Sequence, residues 1–341
     1  MSKRTKEKKG ELEKLFDIET KEPQKIDGCT KEAILQVADQ AKRKETIPGV
    51  SSGFKKLDDC TGGFQGGDLI VIAGRPMMGK TSLALSMARQ MAVDHHIPVL
   101  FATYEMKETV VSKRLIAAQC DIPLHTLACA ILNPEQWDAL DKKVLPLVES
   151  PLTIADIYKY DLQKLELLCR RAVEKDHVKA IFIDCLQYIY ADNAYGRSTV
   201  DTMKSIPAFK LLARELDIPI IITSNLKTGP KEFDMFNCRP RLSDLSDDGI
   251  TEFFSDKILL IHRPEFYHIY QDECGRDMRG VAILQIEKNK GGYRGDILLD
   301  FKEECGKFSN HAPFNPMTLG GEAIVDSMFN EKQKNNKNEK S

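Results

Sequence analysis

The residues with the most evident chemistry form one octet, Gly74-Arg75-Pro76-Met77-Met78-Gly79-Lys80-Thr81. Glycines at its first and sixth places let backbone N–H groups wrap a phosphate, and the amino end of a following helix adds positive potential. A lysine ammonium at the seventh place reaches terminal phosphate oxygens, and a hydroxyl at the eighth suits a hard cation. The octet follows a buried apolar run and opens a helical stretch, which is the context this chemistry requires. It predicts a nucleotide site made of Gly74, Arg75, Pro76, Met77, Met78, Gly79, Lys80, Thr81 and the adjoining Ser82, with ATP and Mg²⁺ as ligands.

Hydrolysis needs more groups than the octet supplies. Ala180-Ile181-Phe182-Ile183-Asp184 ends an apolar run on a carboxylate, which would share the metal with Thr81 or, alternatively, cap the next turn. Glu105 follows the run 99–103 by two residues. If that strand neighbours the loop's strand, Glu105 lies where it can orient or deprotonate the attacking water; otherwise it is a solvated glutamate. Thr223, Ser224 and Asn225 close the run 218–222, where a sensor of the terminal phosphate would sit.

These groups require a sheet to hold them. Strand-type runs fall at 69–73, 99–103, 152–155, 180–184, 218–223, 257–262, 279–287 and 295–301. Helical stretches at 80–93, 108–119, 134–148, 161–175 and 199–216 lie between them. Continuous apolar strands alternating with helices predict an α/β fold, a mostly parallel sheet covered on both faces. The last two runs alternate in polarity and lie close together, as an antiparallel hairpin at one edge would.

Ahead of this domain, residues 30–44 carry Ala33, Ile34, Val37, Ala38 and Ala41 at helical spacing, and Pro48-Gly49 ends the pattern. The stripe serves either the chain's own core or a neighbouring subunit. The resulting division is a charged, flexible lead-in at 1–25, a linker helix at 26–46, the main domain at 47–310 and a largely disordered tail at 311–341.

The formal charge of −2 does not announce a nucleic-acid binder, although a ring or cleft can concentrate basic groups locally. The nine cysteines include no Cys-x-x-Cys pair, so they read as thiols in a reducing compartment. No apolar run approaches the roughly 20 residues that cross a bilayer. The reading is a cytoplasmic protein with no membrane partner.

In wording and order, residues from Ile47 to Phe301 resemble the RecA-like motor domain of DnaB-type replicative helicases. The segments that carry the resemblance are PGVSSGFKKLDDCTGGFQGGDLIVIAGRPMMGKTSLAL, FATYEM, IFIDCLQYI, IIITSNL, RPRLSDLSDDGITEFFSD, LLIHRPEFY and IEKNKGGYRGDILLDF. The resemblance implies that Glu105 is the catalytic glutamate, that Asn225 stands at the phosphate-sensing position and that Asp247 and Gly249 lie in a DNA-contacting loop. It implies that Lys288 and Lys290 enter the ATP site of the adjacent subunit, and that helix 30–44 docks on the next subunit. The protein implied is a RecA-like P-loop ATPase and ring-forming helicase. The same resemblance implies a homo-oligomer, a hexamer encircling single-stranded DNA, with a primase or helicase loader as further partner.

Three departures bear on that expectation. The segment before Ile47 is short where the family has a separate helical domain, so the expectation is a chain without that domain. Lys290 stands where the family has arginine, keeping the charge but not the planar fork; Arg294 lies near it. The DNA loop reads Ser246-Asp247-Asp248-Gly249 where the family has Arg-Glu-Ser-Gly, replacing a cation by an acid beside a phosphate backbone. Lys227, Lys231, Arg239 and Arg241 flank it and either compensate or are solvated. The tyrosine-rich segment 188–197 either stacks on bases or is a loop with half-buried rings. The competing readings are a RecA/KaiC-class ATPase with a recombination or regulatory role and no unwinding, and a nucleotide-binding assembly factor that scarcely hydrolyses ATP.

Overall fold

The computed structural model describes residues 25–42, 47–188, 202–226, 238–245, 249–290 and 292–311. The lead-in 1–24, the tail 312–341, the segment 189–197, Lys227, Lys231 and Ser246, Asp247 and Asp248 lie outside them.

The first 48 residues form one unit, which contains helix α1, Ile26–Lys42. It begins four residues before the periodicity indicates, with the Thr30 hydroxyl donating to the Ile26 carbonyl at 2.7 Å.

The second unit starts at Gly49. Its elements run α2 (Lys55–Thr61), β1 (Leu69–Gly74), α3 (Lys80–Arg89), β2 (Val99–Thr103), α4 (Glu108–Cys120), α5 (Leu124–Ala128), α6 (Pro134–Lys143), α7 (Leu145–Val148) and β3 (Leu152–Asp156). There follow α8 (Leu162–Asp176), β4 (Ala180–Asp184), α9 (Thr202–Leu216), β5 (Ile220–Asn225), α10 (Ile250–Phe254), β6 (Lys257–His262), β7 (Val281–Asn289), β8 (Gly295–Lys302) and β9 (Lys307–Asn310).

Among the described residues these strands make one sheet in the order β3-β2-β4-β5-β1-β6-β7-β8-β9. The pairs from β3 to β6 are parallel, and β6–β7, β7–β8 and β8–β9 are antiparallel. The fold class read from the sequence is the one observed, with a larger antiparallel part than the predicted hairpin. The period-two alternation of a strand sends Val99 and Phe101 into the core under α3 and α4, and Leu100 and Ala102 into the core under α8 and α9.

The topology corrects one premise. Neither β2 nor β4 neighbours β1, because β5 lies between β1 and β4, and β2 lies beyond β4. The functional groups meet for another reason, the path of α3. This helix leaves the end of β1 and packs across β5 and β4 as far as β2. Its first turn therefore points at the ends of strands that β1 does not touch.

β9 also departs from the sequence reading. Phe308 on β9 is fully buried and stacks on Phe301 of β8 with centroids 4.3 Å apart, and its N–H donates to Ser86 Oγ of α3 at 3.0 Å. The antiparallel extension thus closes over α3 and fixes the far side of the phosphate loop.

Candidate nucleotide site

The loop between β1 and α3 is shaped by its glycines and one buried methionine. A Cβ at Gly74 would lie 2.6 Å from Ile261 Cγ2 on β6, so glycine allows β1 and β6 to approach. Gly79 caps α3 with φ at 90°, a left-handed conformation that favours glycine, and a Cβ there would meet the Phe308 ring at 3.1 Å. Met78 is buried in the core while Met77, at φ 66°, is exposed at the loop's crest. Below the crest, Arg263 donates to the Met77 carbonyl at 3.4 Å, its guanidinium 4.3 Å above the Phe301 ring and 3.1 Å from Glu303.

At the start of α3 three predicted groups converge. Thr81 Oγ1 donates to the Asp184 carboxylate, 3.0 Å from Oδ1 and 3.2 Å from Oδ2. Thr223 Oγ1, on β5, donates to Asp184 Oδ1 at 2.6 Å. Burial raises the Asp184 carboxyl above its ordinary range, the two hydroxyls and Lys80 opposing this. Burial lowers the Lys80 ammonium, against the pull of the nearby Asp184 and Glu105 carboxylates. Lys80 Nζ donates to the Arg75 carbonyl at 3.0 Å.

Glu105 is carried to the same place through β4. The Tyr104 N–H donates to the Asp184 carbonyl at 2.7 Å, which ties the chain beyond β2 to the end of β4. Tyr188 hydrogen-bonds Glu105, whose charge, with burial, raises the phenol above its usual range. That contact bears on the tyrosine-rich segment: Tyr188 faces the glutamate, and the remaining positions, 189–197, lie outside the described residues.

Asn225 closes β5 opposite Gly74 in the β1–β5 register. Its N–H donates to Gln187 Oε1 at 3.1 Å, and Gln187 Nε2 donates to Ser224 Oγ at 2.9 Å. Gln187, to which the sequence pattern assigns no role, thus clasps the ends of β4 and β5 together. The Leu-Gln pair after Asp184 is the signal in the sequence that points to it.

Other predicted residues are placed elsewhere. The Arg75 guanidinium is buried and turned to the segment after residue 238, donating to the Cys238 carbonyl and lying 3.5 Å from Asp244. Only the Arg75 backbone serves the loop. Arg239 pairs with Asp296, and the Arg241 N–H is held by Asp244 at 3.0 Å. Gly249 caps α10 with φ at 89°. Among the described residues beyond its chain neighbours and its own helix backbone, none comes within 4 Å of its Cβ position, while Asp247 lies outside the described residues.

Lys288 and Lys290 do not join the loop of their own chain. Lys288, in the last rungs of the β7 ladder, and Lys290, just beyond it, lie at the edge where β6 begins at Lys257, whereas Gly74 ends β1 at the opposite edge. Strands of this length separate the two edges by roughly 15–20 Å.

The fold is of a defined class, a RecA-like α/β ATPase-domain fold, and the hydroxyl–carboxylate pair at the start of α3 is a set of hard oxygen donors of the kind that would suit Mg²⁺. Comparison with known families goes further. Residues 49–310 match the DnaB-like helicase C terminal domain, and the chain belongs to that family. The replicative DNA helicase DnaB of Leifsonia xyli is 30% identical over 281 residues, covering 82% of this chain and 60% of that protein. That of Treponema pallidum is 30% identical over 272 residues, covering 80% of this chain and 58% of the relative. This chain thus spans about three-fifths of the length of the curated relatives it matches. Two solved structures align at TM-score 0.72 and 27% identity. One is an ATPase domain, matched over 100% of its length by 85% of this chain. The other, a DnaB-like replicative helicase described with its interactions with primase, is matched over 71% by 88% of this chain. Among the described residues no helix is long and apolar enough to cross a membrane.

Proposed function

We propose that this chain is the motor of a DnaB-type helicase, an ATP hydrolase that couples turnover to movement along single-stranded DNA during replication. The observation that carries the reading is the Thr81–Asp184 pair at 3.0 Å beside the buried Lys80, on a helix laid across the strand ends. In this reading residues 47–310 form the motor and residues 26–46 the linker. The protein works in the cytoplasm as a hexameric ring, with a primase or loader as further partner.

The loop backbone from Gly74 to Gly79 would wrap the phosphates, and Lys80 would neutralise the terminal ones. Thr81 and Asp184 would hold Mg²⁺, which when bound spreads the negative charge of the β- and γ-phosphates. Ser82 extends the donor row at the start of α3. Glu105 would orient and deprotonate the attacking water, and Asn225 would read the presence of the γ-phosphate from the end of β5.

The separation of Lys288 and Lys290 from their own loop supports a site completed by a second copy. Their ammonium groups would stabilise the charge that develops on the neighbour's γ-phosphate. Gly249 and Asp247 would meet the DNA backbone, Gly249 through its N–H group, which needs no side-chain charge.

The test is ATP turnover by the purified protein with and without single-stranded DNA, with Glu105→Gln as the blank. Stimulation by DNA that Glu105→Gln abolishes, followed by strand displacement at a fork, is expected. Stimulation without displacement points to a RecA/KaiC-class switch. Turnover indifferent to DNA overturns the motor reading.

A further inference from the structure

Lys290 is tethered more firmly than a surface lysine needs to be. Its Nζ lies 2.8 Å from Asp256 Oδ1, and its backbone N–H donates to the Asp256 carbonyl at 3.1 Å. The other carboxylate oxygen, Oδ2, accepts from Lys210 Nζ of α9 at 2.5 Å and from the Leu69 N–H at the start of β1 at 2.8 Å. Asp256 also donates its own N–H to the Leu69 carbonyl at 2.8 Å. One carboxylate thereby joins the strand that leads to the phosphate loop, helix α9 and the turn that bears Lys290.

The three side chains are graded in exposure. Asp256 is 8% exposed and Lys210 19%, while Lys290 is 55% exposed. Burial pushes the Asp256 carboxyl up, but the Leu69 N–H and the two ammonium groups outweigh it and hold the carboxyl below its ordinary range. It is therefore a carboxylate at neutral pH. Lys210, whose Nζ also donates to the Gly67 carbonyl at 2.7 Å, balances that charge from the buried side. The cluster of two lysines and one aspartate presents one net positive charge, and the half that faces outward is Lys290.

We infer that Asp256 is the positioning residue for Lys290, holding its ammonium in the place from which it serves the phosphates of a second copy. The inference rests on the reading of Lys290 given above. An arginine at this position would be pre-organised by its planar fork, whereas lysine is a flexible stem ending in a point charge. The bond to Asp256 supplies the missing rigidity and occupies one of three N–H donors, leaving two for phosphate oxygens. Lys210 completes the device, because without its charge the carboxylate would cancel that of Lys290.

The experiment is a double-mutant cycle on the full chain, with ATP turnover read in the presence of single-stranded DNA. Lys290→Met is expected to lower kcat on the order of 10²- to 10³-fold, as the loss of one preorganised charge-stabilising donor does. Asp256→Asn is expected to lower kcat about tenfold with KM for ATP unchanged, roughly the rotamer freedom returned to a lysine side chain. Lys290→Met added to Asp256→Asn should then cost clearly less than it does in the wild type, and Asp256→Glu should recover part of the loss.

Unchanged turnover in Lys290→Met removes the reading of Lys290 and this inference with it. An impaired Lys290→Met with an unaffected Asp256→Asn, or losses that multiply independently, overturns the inference alone. Thermal melts identify a variant that fails to fold. If Asp256→Asn does so, Asp256→Glu, which displaces the charge by one methylene, takes its place in the same cycle. A lowered kcat that couples to Lys290→Met then supports the inference, and an unaffected kcat or independent losses overturn it.

Discussion

Thr81 Oγ1 lies 3.0 Å from Asp184 Oδ1 although β1, which leads into the helix of Thr81, and β4, which ends on Asp184, are not neighbours in the sheet. The contact exists because α3 packs on β5 and β4 as well as on β1, and Thr223 of β5 supports the same oxygen at 2.6 Å. Two groups that share one metal act as a unit, and their losses do not add. Thr81→Ala and Asp184→Asn should each lower Mg²⁺-dependent ATP turnover on the order of 100-fold, the several kcal/mol expected of a catalytic metal. The double variant should be no worse than the poorer single one. Independent multiplication of the two losses in steady-state kinetics would sink the shared site.

Glu105 stands outside that pair, on the chain beyond β2, and touches Tyr188 rather than the metal-side hydroxyls. Its proposed task is the water, not the nucleotide. Glu105→Gln is therefore expected to cut turnover about 10²- to 10⁴-fold. Affinity for a fluorescent ATP analogue, read by equilibrium titration, should stay near that of the wild type. A parallel loss of affinity would mean that the carboxylate serves binding instead.

The sequence made the chemistry more legible than the geometry that assembles it. Gly74 to Thr81 and Asp184 could be singled out from residue types and spacing, because each follows an apolar run that a buried strand explains. The pattern left Glu105 open between the water and a solvated surface until the family resemblance named it. The strand order could not be read, since apolar runs do not encode their neighbours. The condition set for Glu105, that its strand adjoin β1, fails for that reason. β9 was illegible because Lys307–Asn310 is four residues long and its one large apolar side chain, Phe308, gains meaning only against Phe301 and Ser86. Asp256 was hidden, because an aspartate acquires its role from partners far along the chain, while Gln187 showed only as half of the Leu-Gln pair after Asp184. The Arg75 side chain illustrates the converse: its place in the octet is right, yet its guanidinium serves Cys238 and Asp244.

Arg263 is a support that no motif announces. Buried under the loop, it donates to the Met77 carbonyl at 3.4 Å with its planar guanidinium 4.3 Å over the Phe301 ring. Lysine would keep the charge and lose the planar stacking. Arg263→Lys is expected to weaken ATP binding roughly three- to tenfold, about 1 kcal/mol, through a loosened loop crest. Turnover at saturating ATP should change little. Titration of ATP by calorimetry checks it, and wild-type affinity would show that Met77 holds its place without Arg263.

His262, at the end of β6 one residue before Arg263, bears on stability rather than turnover. It is buried, stacked on Tyr267 with centroids 5.5 Å apart, and its Nε2 lies 3.8 Å from Cys238 Sγ. Burial, with the charges of Arg239 and Arg75, pushes its pKa down from 6.5 to about 4. Between those values the unfolded chain takes up a proton that the native chain refuses, so stability is full above pH 6.5 and falls as pH drops toward 4. The whole loss is roughly 3 kcal/mol, of which about 2 kcal/mol is spent by pH 5. Asp184 and Asp256 also titrate toward the acid end, so the wild type is read against His262→Phe, in which they remain. Urea unfolding at pH 7 and pH 5 should show the wild type losing about 2 kcal/mol more than His262→Phe over that interval. Equal losses in the two proteins would place a protonated imidazole in the native core and remove the argument.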